Sequence, residues 1–100
     1  MLTIIARPTV DPEKLDEVKL AMFDLVKETL KEDGCIRYEL HQDNSEPNKL
    51  TFIEIWQSHE LWQKHMDGEA VSKFRERASG GIVAMELSEL TQLAPDQTYP

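Results

Sequence analysis

Residues 52–66 read FIEIWQSHELWQKHM, and the two halves of this stretch follow different periods. Phe52, Glu54 and Trp56 share one side of an extended segment, with Ile53 and Ile55 on the other, because successive side chains of a strand point to opposite faces. Ser58 is a residue type that caps helix N-termini, and beyond it Leu61 with His65 and Trp62 with Met66 fall at the i, i+4 spacing of an inward helical stripe. A strand over 49–57 therefore runs into a helix that turns His65 inward. The stretch holds both tryptophans of the chain and two of its three histidines, which raises the question of a pocket wall with an ionisable group set into it.

Upstream, QDNSEPN at 42–48 carries the turn residues of a hairpin loop, so the preceding segment pairs antiparallel with the strand at 49–57. That segment, Cys35 to His41, alternates with Ile36, Tyr38 and Leu40 on one side and Cys35, Arg37, Glu39 and His41 on the other. Further back, Asp11 followed by Pro12 opens a long helix. Its stripe is Leu15, Val18, Met22, Leu25, Val26, Thr29 and Leu30, and Gly34 marks its exit. LTIIARPTV at 2–10 is a strand in which Pro8, unable to donate to a ladder, belongs at an edge or strand end. Downstream, the second helical region splits at Asp67-Gly68 and resumes through Ala70, Val71, Phe74 and Ala78. SGG at 79–81 stops it before a strand at about 82–93 that alternates through Val83, Met85 and Leu87.

The order βαββαβ predicts an α+β, ferredoxin-like fold, a four-stranded antiparallel sheet with helices on one face. A single domain over 1–94 with a polar tail at 95–100 accounts for the 100 residues. The strands at 2–10 and 49–57 are apolar on both sides, so one sheet face would stand uncovered in a monomer. A second copy packed sheet to sheet covers it, which predicts a homodimer. The formal charge of −8 argues against nucleic acid or an anionic membrane as partner. The lone Cys35 excludes an internal disulfide, and the chain shows neither a leader-like start nor an apolar run near 18 residues in length; a cytoplasmic location is expected.

EDGCIRYEL at 32–40, FIEIWQSHELWQKHM at 52–66 and Phe74 beyond it resemble the antibiotic biosynthesis monooxygenase family, small dimeric α+β barrel proteins that include quinol monooxygenases. The pattern is a Gly-Cys followed by Tyr, a Glu-x-Trp on the third strand, then Leu and His on the next helix. The resemblance implies a homodimer, one pocket per subunit between sheet and helices, and chemistry without metal, flavin or haem cofactors. It also implies a cofactor-independent monooxygenase that oxidises a quinol-like or phenolic small molecule with O₂. His65 is the expected base, since a neutral imidazole accepts a proton near neutrality. Tyr38 and Glu54 are expected to hydrogen-bond a hydroxyl or orient the imidazole, and Phe52, Trp56, Trp62 and Phe74 to wall a planar aromatic substrate.

Most of these residues also read as plain core: Trp56 and Trp62 as packing aromatics, Cys35 as a small buried hydrophobe, His65 as a packed helix residue, whereas Glu54, between Phe52 and Trp56, either faces a cavity, pairs across the dimer or sits at a sheet edge. Two departures narrow what carries over. DGE at 67–69 replaces the Thr-Pro-His found in many members, and Phe52 stands where antibiotic-pathway enzymes place an Asn. The haem-degrading branch is a poor match, because it needs an Asn on the first strand, Trp near 65 and His near 75, where this chain has no Asn, His65 and Arg75. Two other readings stay open: an isomerase of a small oxygenated or phosphorylated carbonyl compound related to quorum-signal breakdown, and a non-catalytic ligand-binding dimer.

Overall fold

The computed structural model describes residues 1–93, and the polar tail expected at 95–100 lies outside them. Seven elements follow in order: β1 (Leu2–Val10), α1 (Leu15–Thr29), β2 (Cys35–Gln42), β3 (Leu50–Trp56), α2 (His59–Met66), α3 (Glu69–Arg77) and β4 (Ile82–Leu90). The strands form one antiparallel sheet in the order β2-β3-β1-β4. This is the ferredoxin-like α+β arrangement, with the second helical region broken at Asp67-Gly68 as the spacing predicts.

Local signals explain the element starts. Asp11 accepts a hydrogen bond from the Glu13 amide over a short 3₁₀ turn at Pro12–Lys14 that leads into α1. Ser58 accepts from the Leu61 amide to start α2. In the β2–β3 loop the Asp43 carboxylate takes the Ser45 and Glu46 amides, at 2.9 and 2.7 Å, which folds the turn onto its own side chain.

Ile4, Ala6, Val10, Phe52 and Trp56 of the sheet meet Val18, Met22, Leu25, Trp62, Val71 and Phe74 of the helices in one core. Along β3 the burial alternates strictly: Leu50, Phe52, Glu54 and Trp56 are buried under the helices, while Thr51, Ile53 and Ile55 are only partly buried on the opposite face. Ile5 pairs with Ile53 across β1 and β3 and shares that open face.

Four expectations need correction. Pro8 lies in a central strand, and the β1–β3 ladder runs from Leu2↔Trp56 to Ala6↔Phe52 and then lapses until the Thr9↔Lys49 bridge, so the proline sits in the gap. A bulge between Cys35 and Arg37 shifts the β2 register. It carries Cys35 to the buried face opposite Trp56 and leaves Ile36 49% exposed. Leu30 lies just past α1 and points to solvent. Strand β4 ends at Leu90, and its Val83, Met85 and Leu87 are exposed on an edge.

Gly34 connects α1 to β2 with φ +82°, and a Cβ there would collide with the Leu61 side chain of α2. Only glycine lets this loop adopt that backbone and lie against the helix.

Candidate active site

Strand β3 points Phe52, Glu54 and Trp56 to the helices, β2 adds Tyr38, and α2 brings His65 down onto them. Tyr38 pairs with Glu54 across the β2–β3 ladder, and its ring lies 5.4 Å from Phe52 and 5.4 Å from His65, centroid to centroid. The Trp56 and His65 rings are 4.7 Å apart at a 34° tilt. Tyr38, Glu54 and His65 are each at least 95% removed from solvent. Three titratable side chains buried this far are unusual in a core of this size.

These groups edge a cavity of about 160 Å³ between sheet and helices, whose lining includes Tyr38, Phe52, Glu54, His65, Phe74 and Arg75. Nearly all the rest of its wall is apolar, with Met66 and Val71 on the helix side and Met85 and Leu87 at the β4 edge. An apolar hollow of roughly 150 Å³ is enough to hold a benzene ring. Of the seven residues expected at the site, five line this space: Tyr38, Phe52, Glu54, His65 and Phe74. Trp56 sits behind the wall, fully buried, with its indole N–H donating to Glu54 Oε1 at 2.9 Å. Trp62 lies apart, edge-on to His59, and its buried indole nitrogen has no hydrogen-bond partner among the described residues. His41 and His59 are exposed and lie beside the carboxylates of Glu39 and Glu89.

The electrostatics follow from burial. Desolvation raises the Glu54 carboxyl from 4.5 to about 7, against the opposing hydrogen bond from Trp56. Burial, reinforced by the Glu54 carboxylate, pushes the Tyr38 phenol far above its ordinary value, which keeps it an O–H donor. The Thr29 hydroxyl opposes that rise in part, although its oxygen falls outside hydrogen-bond geometry. Burial also holds the His65 imidazole below 6.5, opposed by Glu32 and assisted by the positive charge of Arg75.

Glu32 is the residue that sequence reasoning missed. Its Oε1 lies 2.6 Å from His65 Nδ1, across 33 positions of chain. A carboxylate only accepts, so Nδ1 carries the hydrogen and the lone pair of the neutral ring sits on Nε2. The one available signal was EDG at 32–34, a carboxylate beside the helix-exit glycine, and nothing local connects it to α2. Among the described residues no group of three or more His, Cys, Asp or Glu could hold a metal ion, and no helix is long and apolar enough to cross a membrane.

Comparison with known proteins places this geometry in context. The family model described as antibiotic biosynthesis monooxygenase matches residues 1–77. An uncharacterized protein of Synechocystis sp. is 24% identical over 89 residues, 89% of this chain and 60% of that protein, so the chain spans about 60% of the length of this curated relative. A crystal structure from Pseudomonas aeruginosa is 27% identical with a TM-score of 0.88, covering 93% of this chain and 94% of that one. Another, named an antibiotic biosynthesis monooxygenase, has a TM-score of 0.89 at 24% identity over 94% of this chain and 100% of the other, a likeness of fold alone.

Proposed function

The chain belongs to the antibiotic biosynthesis monooxygenase family, and from that premise we propose that it oxidises a phenolic or quinol-like ring with O₂, with His65 as base and no resident cofactor. The supporting observation is the single cavity that brings Tyr38, Glu54 and His65 together within apolar walls sized for one ring.

His65 Nε2 takes the hydroxyl proton of the substrate, and the electron-rich anion passes one electron to O₂. Ring radical and superoxide combine in a C–O bond, and His65 returns a proton to the resulting peroxide. The O–O bond then breaks. Protonated Glu54 supplies the second proton for the departing water, and the ring C–H proton replaces it on Glu54. A phenol bearing ring hydrogen plus O₂ thus gives a quinone plus water, and a quinol gives the hydroxyquinone plus water. Tyr38 donates its O–H to a substrate oxygen, and Phe52 and Phe74 flank the ring. The open sheet face, with Ile5, Ile53 and Ile55, packs on a second copy of the chain.

Oxygen uptake with a panel of phenols and hydroquinones tests this. Uptake above the autoxidation blank that disappears in His65→Ala is expected; equal uptake with and without protein ends the proposal. One observation favours a second reading, an isomerase: a neutral imidazole and a carboxyl raised to about 7 edge one cavity, the pair needed to move a proton between two carbons of a carbonyl compound. Turnover of a ketone or enol that persists without O₂ would select it.

A further inference from the structure

His65 has two different neighbourhoods. His65 lines the inner cavity and also a separate hollow of about 210 Å³, which it shares with Glu32, Asp33, Leu61, Lys64 and Gly68. Among the described residues around these two spaces, His65 alone belongs to both. Its side chain is 2% exposed, whereas that of Glu32, bonded to its Nδ1 at 2.6 Å, is 27% exposed and reaches water. Glu32 also edges a further surface hollow whose charged neighbours are Glu28, Lys31, Glu69 and Lys73. The substrate side and the solvent side of the site therefore communicate through one imidazole and one carboxylate.

We propose that Glu32 is the proton conduit of the site, carrying the proton that His65 takes from the substrate out to the outer hollow. The inference rests on the reading of His65 as the base. The substrate O–H bond breaks as Nε2–H forms, Nδ1–H breaks as Glu32 Oε1–H forms, and the acid then gives its proton to water. One negative charge stays on the ring, beside a neutral imidazole. An imidazolium left there would draw electron density to the phenolate oxygen and hold the electron back from O₂. The path runs in both directions and returns a proton once the peroxide has formed. Glu32 is thus a positioning and relay residue, facing His65 from α2, Lys64 and Asp33 across the outer hollow, and Arg75 beyond the ring.

Glu32→Gln separates relay from orientation, because the carboxamide oxygen still accepts the Nδ1 hydrogen but carries no proton onward. Expected are an unchanged ¹⁵N signature of a His65 ring protonated at Nδ1, an unchanged KM, and a kcat at least tenfold lower. Glu32→Ala should lose as much, with formate restoring activity through the outer hollow and Glu32→Asp retaining most of it. A Glu32→Gln protein as fast as the parent overturns the conduit and leaves only an orienting contact. A second readout needs no turnover: on mixing with 4-nitrophenol, the phenolate band should appear at least tenfold more slowly in Glu32→Gln. If that band responds to both His65 and Glu32 while no phenol or hydroquinone consumes O₂, the monooxygenase reading falls and the conduit stands. If O₂ uptake depends on His65 but not on Glu32, the conduit falls and the reading stands.

Discussion

On the helix-covered side of β3, Glu54 is 4% exposed between Phe52 and Trp56; on the open side of the same strand, Ile53 and Ile55 are only partly buried. Each side holds the residue type the other would favour. A carboxyl under helices weakens the fold at neutral pH unless its environment is put to use, and isoleucines facing water weaken solubility unless something covers them. The contrast divides the strand by task. One side sacrifices stability to hold titratable groups around a mostly apolar hollow, and the other carries the apolar surface on which the proposed second copy would pack.

The largest expected effect comes from emptying the covered side of its base. His65→Ala should lower kcat/KM for the responsive phenol or hydroquinone by about 10²–10⁴-fold, measured by oxygen uptake, with the circular dichroism spectrum unchanged. An active variant would turn the covered side into ordinary core. Next comes Ile53→Glu, which loses about 2–3 kcal/mol of apolar burial and places a charge in the proposed interface. Light scattering at low micromolar concentration should then shift from the mass of two chains to that of one; a parent protein already at the mass of one chain would end the contrast from the other direction.

A subtler test concerns pH. Because the Glu54 carboxyl is raised from 4.5 to about 7, the folded protein binds more protons than the unfolded chain between those values. Stability should fall as pH rises through that window and level off above it. At one pKa unit per about 1.4 kcal/mol the full effect is on the order of 3 kcal/mol. Glu54→Gln keeps an acceptor for the Trp56 indole and removes the titration, so thermal melts at pH 5 and pH 8 should separate the two proteins only at the higher value. The smallest effect is expected at Trp62, which lies outside the cavity. Trp62→Phe should leave kcat and KM within about threefold while removing a buried N–H that has no partner among the described residues, a group whose desolvation normally costs the folded state about 1–3 kcal/mol. A large loss of activity would extend the site to Trp62.

Much of the fold is legible because its signals are local. Ser58 and Asp67-Gly68 announce helix boundaries within a residue or two, Asp11-Pro12 announces the 3₁₀ turn that leads into α1 at Leu15, and the alternation of β3 separates its two faces without outside help. The failures occur where a partner strand decides. Alternation along β2 put Ile36 on the same side as Tyr38 and Cys35 on the other, but the bulge against β3 breaks that pattern and leaves Ile36 exposed, and a bulge leaves no mark in periodicity. Pro8 looked fit only for an edge or strand end, yet a central strand accommodates it where one ladder lapses. At the site, spacing puts Phe52 with Glu54 on one face of β3 and His65 in the inward stripe of α2, while their gathering with Tyr38 and Phe74 in one pocket is what the family resemblance implies. Whether Trp56 lines the cavity or stands behind it depends on how its ring settles against His65, and Glu32 is joined to that imidazole only through tertiary contact.

Gly34 sits between Glu32 and Cys35 with no side chain and its backbone against Leu61, one helical turn before His65. The loop that carries the carboxylate is thereby seated on the Leu61 side chain of the helix that carries the imidazole, and Leu61 is not among the groups that shape the inner hollow. Phe74, Val71 and Met85 line the inner hollow and not the outer one beside Glu32, so recutting them to admit a different guest should leave the acid–imidazole distance as it was. A library aimed at new aromatic compounds should therefore vary those three positions and leave the glycine alone.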